Sequence, residues 1–220
     1  MGRARRYSRR NVTIRDFTGV TVIGGERAVR DDAPLPAGKL CMTITYLEMS
    51  EAPGPAPPAP RGRKIALMRA DPMTVSFYRY LYNTVGEPYL WYERRAMADE
   101  QLDAIIGDEN VEIYVLYVGG VPAGYAELDR RKSPDIELAY FGLVADFLGQ
   151  GLGRYLLGWA AEAAWRHQPR RLLVNTNNFD HPRALPNYQK IGFVPVRQDG
   201  LVFDDPRLNG LIPSHIVVRG

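Results

Sequence analysis

Residues Leu148 to Arg154 read Leu-Gly-Gln-Gly-Leu-Gly-Arg, with three glycines at alternate positions between a strand-like stretch and a helix-like one. The preceding Ile136–Val144 is apolar and β-favouring. After the loop, Leu152, Leu156, Ala160 and Ala164 recur on one face of a helix that ends near His167. Arg171–Thr176 then reads as a strand again. A strand, a helix and a strand joined this tightly make a crossover between parallel strands, and such crossovers are right-handed. A helix that opens from glycines turns its first N–H groups and its positive dipole end towards one point. Gly149, Gly151 and Gly153 carry no Cβ, so an anion, above all a diphosphate, can reach the main chain there.

The pattern around this unit is mixed. Val111–Val118 and Val121–Leu128 read as strands joined at Gly119-Gly120, a hairpin. Pro182–Ile191 reads as a helix closed by Gly192, followed by a strand at Phe193–Val196. Earlier, Met42–Met49 and Lys64–Arg69 have strand character, while Thr74–Val85 and Ala98–Ile106 have helical spacing. Glu51–Arg63 holds five prolines and reads as a linker or long loop. The expectation is one α/β domain over residues 42–220, with a mixed central sheet flanked by helices. A basic, flexible extension over residues 1–41 precedes it.

The chain has 28 Lys and Arg against 25 Asp and Glu, a net +3. The first thirty residues alone carry eight basic and two acidic side chains, which leaves −3 on the remainder. Charged tails of this kind are ordinarily just solvated, so nucleic acid is not an expected partner. A lone cysteine, Cys41, allows no internal disulfide and fits a reducing compartment. No stretch approaches the roughly 18 apolar residues of a membrane span, so a soluble, cytoplasmic protein is expected and no membrane partner. His167, His181 and His215 lie far apart without clustered cysteines, and no metal site is expected.

Two other uses of a glycine loop do not fit. A dinucleotide fingerprint needs G-x-G-x-x-G, with an acidic residue about 20 positions on; here the spacing is G-x-G-x-G and Leu172–Asn175 contains no acid. A P-loop needs Gly-Lys-Ser/Thr, and Arg154-Tyr155 follows the last glycine. From about Val111 to Val196 the chain resembles the GNAT superfamily of N-acetyltransferases. Leu148–Gly153 stands in place of its Q/R-x-x-G-x-G/A signature, and Ala184-Leu-Pro-Asn-Tyr-Gln-Lys-Ile-Gly-Phe193 matches its A-x-x-x-Y-x-x-x-G-F segment.

The resemblance implies a GNAT-like sheet whose parallel strands splay around an acyl-CoA cleft. It implies acetyl-CoA as co-substrate, with the pantetheine arm along Leu143, Val144 and Ala145. The diphosphate would lie on the amides of Gly149, Gln150, Gly151, Leu152, Gly153 and Arg154. Tyr188 matches the family's proton donor, and Glu137 stands where histone-modifying members carry a glutamate base. Leu148 departs from the usual Arg or Gln. His181 stands where an Asn is common, so either His181 or one of Asn175, Asn177 and Asn178 faces the cofactor, or His181 caps the following helix. Phe77–Tyr92 holds seven aromatics, of which Tyr78, Tyr82 and Trp91 are candidates to contact the acceptor, with Glu87 or Glu93 attracting a cation. The acceptor the resemblance implies is a primary amine of a small molecule or peptide. A non-catalytic acyl-CoA sensor is the alternative, and a homodimer remains open.

Overall fold

The computed structural model describes residues 26–27 and 35–217. Eight strands run in chain order as β1 Glu26–Arg27, β2 Lys39–Met49, β3 Ile65–Arg69, β4 Val111–Val118, β5 Val121–Asp129, β6 Asp135–Leu143, β7 Arg171–Asn177 and β8 Val194–Asp204. The helices are α1 Val75–Gly86, α2 Asp99–Ile106, α3 Leu152–Trp165 and α4 Ala184–Lys190. All the strands join one sheet in the order β1-β8-β2-β7-β6-β5-β4-β3. Of the basic extension expected over residues 1–41, only β1 and the residues from Leu35 onwards fall among those described.

Half of the sheet is a meander. The Gly119-Gly120 turn, with φ of +62° and +89°, matches strand twist and returns β4 antiparallel into β5. β6 continues antiparallel to β5. The only parallel neighbours among the described strands are β6 and β7, joined through α3 as the crossover pattern predicts. They pair only at Asp135–Glu137 against Arg171–Leu173 and diverge beyond. The gap that opens past Glu137 positions everything below.

α3 covers one face of the sheet. Its inward residues, Leu152, Leu156, Leu157, Ala160 and Ala164, are fully buried, and each leucine contributes about 1.5–3 kcal/mol by burial. The alanines let the helix lie close to the strands. α1 and α2 cover the other face over Val111, Ile113, Val115 and Tyr125. Thr74 caps α1, its Oγ1 accepting the Phe77 N–H at 3.3 Å.

Two features departed from the sequence pattern. β8 runs for 11 residues where four were expected, because β2 pairs along its length from Lys39–Asp204 to Glu48–Val194. β2 thus fills the sheet between β7 and β8, neither of which is its neighbour in sequence. The proline-rich Glu51–Arg63 is no free linker: it crosses the outside of α3, where Glu162 accepts the Ala56 N–H. Gly158 makes that contact feasible, since a Cβ there would lie 2.6 Å from Pro57 Cδ.

Candidate active site

The loop expected to hold an anion has the backbone that glycine supplies. Gly149 and Gly151 have φ of +74° and +79°, and Gly151 is the N-cap of α3. Among the described residues, no protein acceptor takes the amides of Gly149 to Arg154. A Cβ on Gly149 would meet nothing within 4 Å, and one on Gly153 only Leu143 Cδ1 at 3.6 Å. Sterics in the protein itself therefore leave open space beside these amides. Gln150 turns away, its Nε2 donating to the Asp146 carbonyl at 2.8 Å.

The amides border a cavity of about 460 Å³ lying between the splayed strands. Leu143, Gly149, Gly151, Gly153, Arg154, Asn175, His181, Tyr188 and Trp91, all anticipated from the sequence, line it. Val144, Ala145, Gln150 and Leu152 do not; Leu152 is core, and the Val144 N–H is held by the Ala123 carbonyl at 2.9 Å. His181 lines the cavity, and its Nδ1 accepts the N–H of Arg183 at 3.1 Å; Arg183, not His181, is the N-cap residue of α4, and no side chain caps that helix.

Tyr188 projects from α4 against Phe141 and Phe193, with ring centroids at 6.2 and 5.8 Å. Burial pushes its hydroxyl well above the ordinary value, and the Asp180 carboxylate adds to this, so the phenol keeps its proton at neutral pH. Glu137 is only 4% exposed and does not line the cavity. Its carboxyl sits at the last parallel pair, across from Asp129, and burial pushes it up to about 8.

Tyr78 and Tyr82 are core rather than cavity residues. α1 packs flat on the sheet, so the Tyr78 hydroxyl donates to Glu127 and the Tyr82 hydroxyl to Glu93, at 3.1 Å for the latter. Glu127 also holds Arg94 at 2.9 Å in a fully buried pair, and the Arg94 guanidinium lies 5.3 Å from the Tyr140 ring centroid. This network fastens the segment after α1, whose Trp91 and Glu93 reach the cavity. Glu87 is instead paired with Arg95 at 2.6 Å.

Sequence reasoning did not find Asp180 or Tyr140. Asp180 accepts from Thr176 Oγ1 at 2.8 Å, the Asn177 N–H at 3.0 Å and Trp91 Nε1 at 3.3 Å. The Thr176-x-x-x-Asp180 spacing signals such a turn but not that it faces a cavity. Burial raises both the Glu93 and Asp180 carboxyls, against the hydrogen bonds that lower them, and Asp180 adds to the rise at Glu93.

The GNAT acetyltransferase family model matches residues 78–193. The chain belongs to this family. No curated protein matches the sequence of this chain. Solved structures agree on the GNAT fold. A GCN5-related N-acetyltransferase from Sphaerobacter thermophilus superposes with a TM-score of 0.57 at 15% identity, over 74% of this chain and 51% of that one. One from Kribbella flavida gives 0.51 at 15% identity, over 83% and 60%. A tandem GNAT protein from the clavulanic acid biosynthesis pathway gives 0.50 at 20% identity, over 74% and 53%. This GNAT chain thus spans about half to three-fifths of the length of these relatives, and the likeness concerns fold alone. Among its described residues no helix is long and apolar enough to cross a membrane.

Proposed function

We propose that the chain transfers an acyl group, acetyl in the simplest case, from coenzyme A to a primary amine by direct attack in a ternary complex. The observation that supports this reading is the row of unpartnered amides at the start of α3, opening into the same cavity as Tyr188 and two carboxylates. Bound acyl-CoA would supply the activated thioester carbonyl. The amides of Gly149 to Arg154 would hold its diphosphate, and Arg154, Arg183 and Lys190, which line the same cavity, would add positive charge.

An alkylammonium of pKa about 10.4 is almost wholly protonated at pH 7, so freeing its lone pair costs on the order of 4–5 kcal/mol. A base beside the acceptor shares that cost. The carboxylates lining the cavity are Glu93 and Asp180, so we assign proton removal to this pair rather than to Glu137. Their raised affinity for protons suits the task. Tyr188 would donate to the departing sulfur, and holding amine and thioester in one cleft contributes at least as much as either proton transfer.

A panel of small amines and amino-terminal peptides, assayed with acetyl-CoA for release of free thiol, tests the proposal. Amine-dependent thiol release supports it. Coenzyme A binding with no release across the panel favours a sensor, and no binding of coenzyme A removes both readings.

A further inference from the structure

The cavity has chemically opposite ends, on opposite faces of the sheet. On the α3 and α4 side lie the loop amides, Arg154, Arg183 and Lys190. Consecutive residues of β6 divide between the faces: Phe141 packs with α3 and Tyr188, Tyr140 with α1 and Trp91. Through the gap left by the splayed strands, the cavity continues to a wall of Trp91, Tyr140, Glu93 and Asp180. One end is built for an anion and the other for a cation.

The cationic end is constructed in detail. The Trp91 and Tyr140 rings are tilted at 58° with centroids 5.2 Å apart, forming a corner of two π-faces. Trp91 Nε1 points at Asp180, which fixes the indole against the carboxylate. Glu93 is held by Tyr82. Arg94, which lies against Tyr140 from within the core, is neutralised by Glu127. Asp180 and Tyr188 line the same cavity, so a group seated beside Asp180 shares it with the proposed proton donor.

Resting on the acyl-transfer reading, we propose that the acceptor binds as an ammonium ion between Glu93, Asp180 and the faces of Trp91 and Tyr140. The acceptor class is then an aryl- or alkylamine with no carboxylate next to its nitrogen. An α-amino acid would bring its own anion against two partly buried carboxylates, where reduced access of water strengthens the repulsion. An aromatic or aliphatic tail gains from the ring corner, and an ammonium gains from both charge and ring quadrupoles. Glu93 acts here as a recognition residue that touches the acceptor, and the same chemistry makes the pocket reject anionic acceptors.

The test compares 2-phenylethylamine with phenylalanine, which differ by one carboxylate, in thiol release with acetyl-CoA. The amine should be preferred by at least about 100-fold in kcat/KM, since the amino acid's carboxylate sets repulsion against the charge contacts its ammonium makes. Glu93→Gln should lower kcat/KM for the amine by about tenfold or more and narrow the preference, with coenzyme A affinity unchanged. A readout independent of turnover is quenching of tryptophan fluorescence by phenethyltrimethylammonium, which cannot react. That cation should saturate the wild-type protein, and neutral 2-phenylethanol should bind at least about tenfold more weakly. Equal use of amine and amino acid, or equal binding of cation and alcohol, overturns the inference while leaving acyl transfer intact. Failure to bind coenzyme A overturns the acyl-transfer reading itself.

Discussion

Replacing Glu137 by Gln separates two roles for this residue, a base in catalysis and a buried acid in the fold. Its carboxyl is 4% exposed, and Oε1 has no hydrogen-bond partner. Burial raises it from 4.5 to about 8; Asp129 and Glu127 push the same way, while Lys132 and Arg94 oppose. Between those two values the folded protein holds a proton that the unfolded chain releases. Stability is therefore greatest below the ordinary carboxylate range and falls as pH climbs towards 8. At about 1.4 kcal/mol per pH unit the loss reaches as much as ~5 kcal/mol by pH 8. That is a large share of the ~5–15 kcal/mol typical of a folded domain. Glu137→Gln keeps the shape and does not titrate. Urea unfolding at pH 5, 6.5 and 8 should show variant and wild type close together at pH 5, with the variant ahead by several kcal/mol at pH 8. A difference that stays flat with pH would refute the buried-acid account. Turnover should survive the substitution, because the side chain lies outside the cavity; a collapse of kcat with unchanged coenzyme A affinity would restore Glu137 as the base.

Three further outcomes follow from the same geometry. Gly151→Glu should abolish coenzyme A binding in calorimetry by setting bulk and negative charge beside the amides, whereas Gly151→Ala should cost only the ~1–2 kcal/mol of a left-handed non-glycine residue. Tyr188→Phe should slow thiol release by about 10²–10⁴-fold with coenzyme A affinity retained, measured by stopped-flow and calorimetry; an unchanged rate would make Tyr188 a packing residue. Arg94→Leu strands the buried Glu127 carboxylate and should destabilise by ~3–5 kcal/mol in urea unfolding, with loss of acceptor binding as the Trp91–Glu93 segment loosens.

Local signals carried the crossover half of the molecule. The glycine loop, the apolar face of α3 and the Tyr188 helix could be read because each combines spacing with short-range chemistry, and they account for the end of the cavity at the glycine loop. What could not be read depends on contacts distant in sequence. β8 contains Pro195, Gly200 and several polar residues, and becomes a long strand only because β2 lies beside it. The proline segment looked like a linker because its partner, Gly158, lies a hundred residues away. The seven aromatics of Phe77–Tyr92 looked alike, and the packing of α1 on β5 and β6 decides that Tyr78 and Tyr82 face the core while Trp91 faces the cavity. Asp180 carried no motif, since its importance comes from meeting Trp91 across the splayed strands.

A crystal structure of the protein with coenzyme A bears most directly on the proposal that free amides at the start of α3 hold a diphosphate. Its phosphate oxygens should lie about 2.7–3.2 Å from the main-chain nitrogens between Gly149 and Arg154, with the thiol reaching past Leu143 towards Tyr188. A diphosphate bound elsewhere, with those nitrogens facing only solvent, would contradict it.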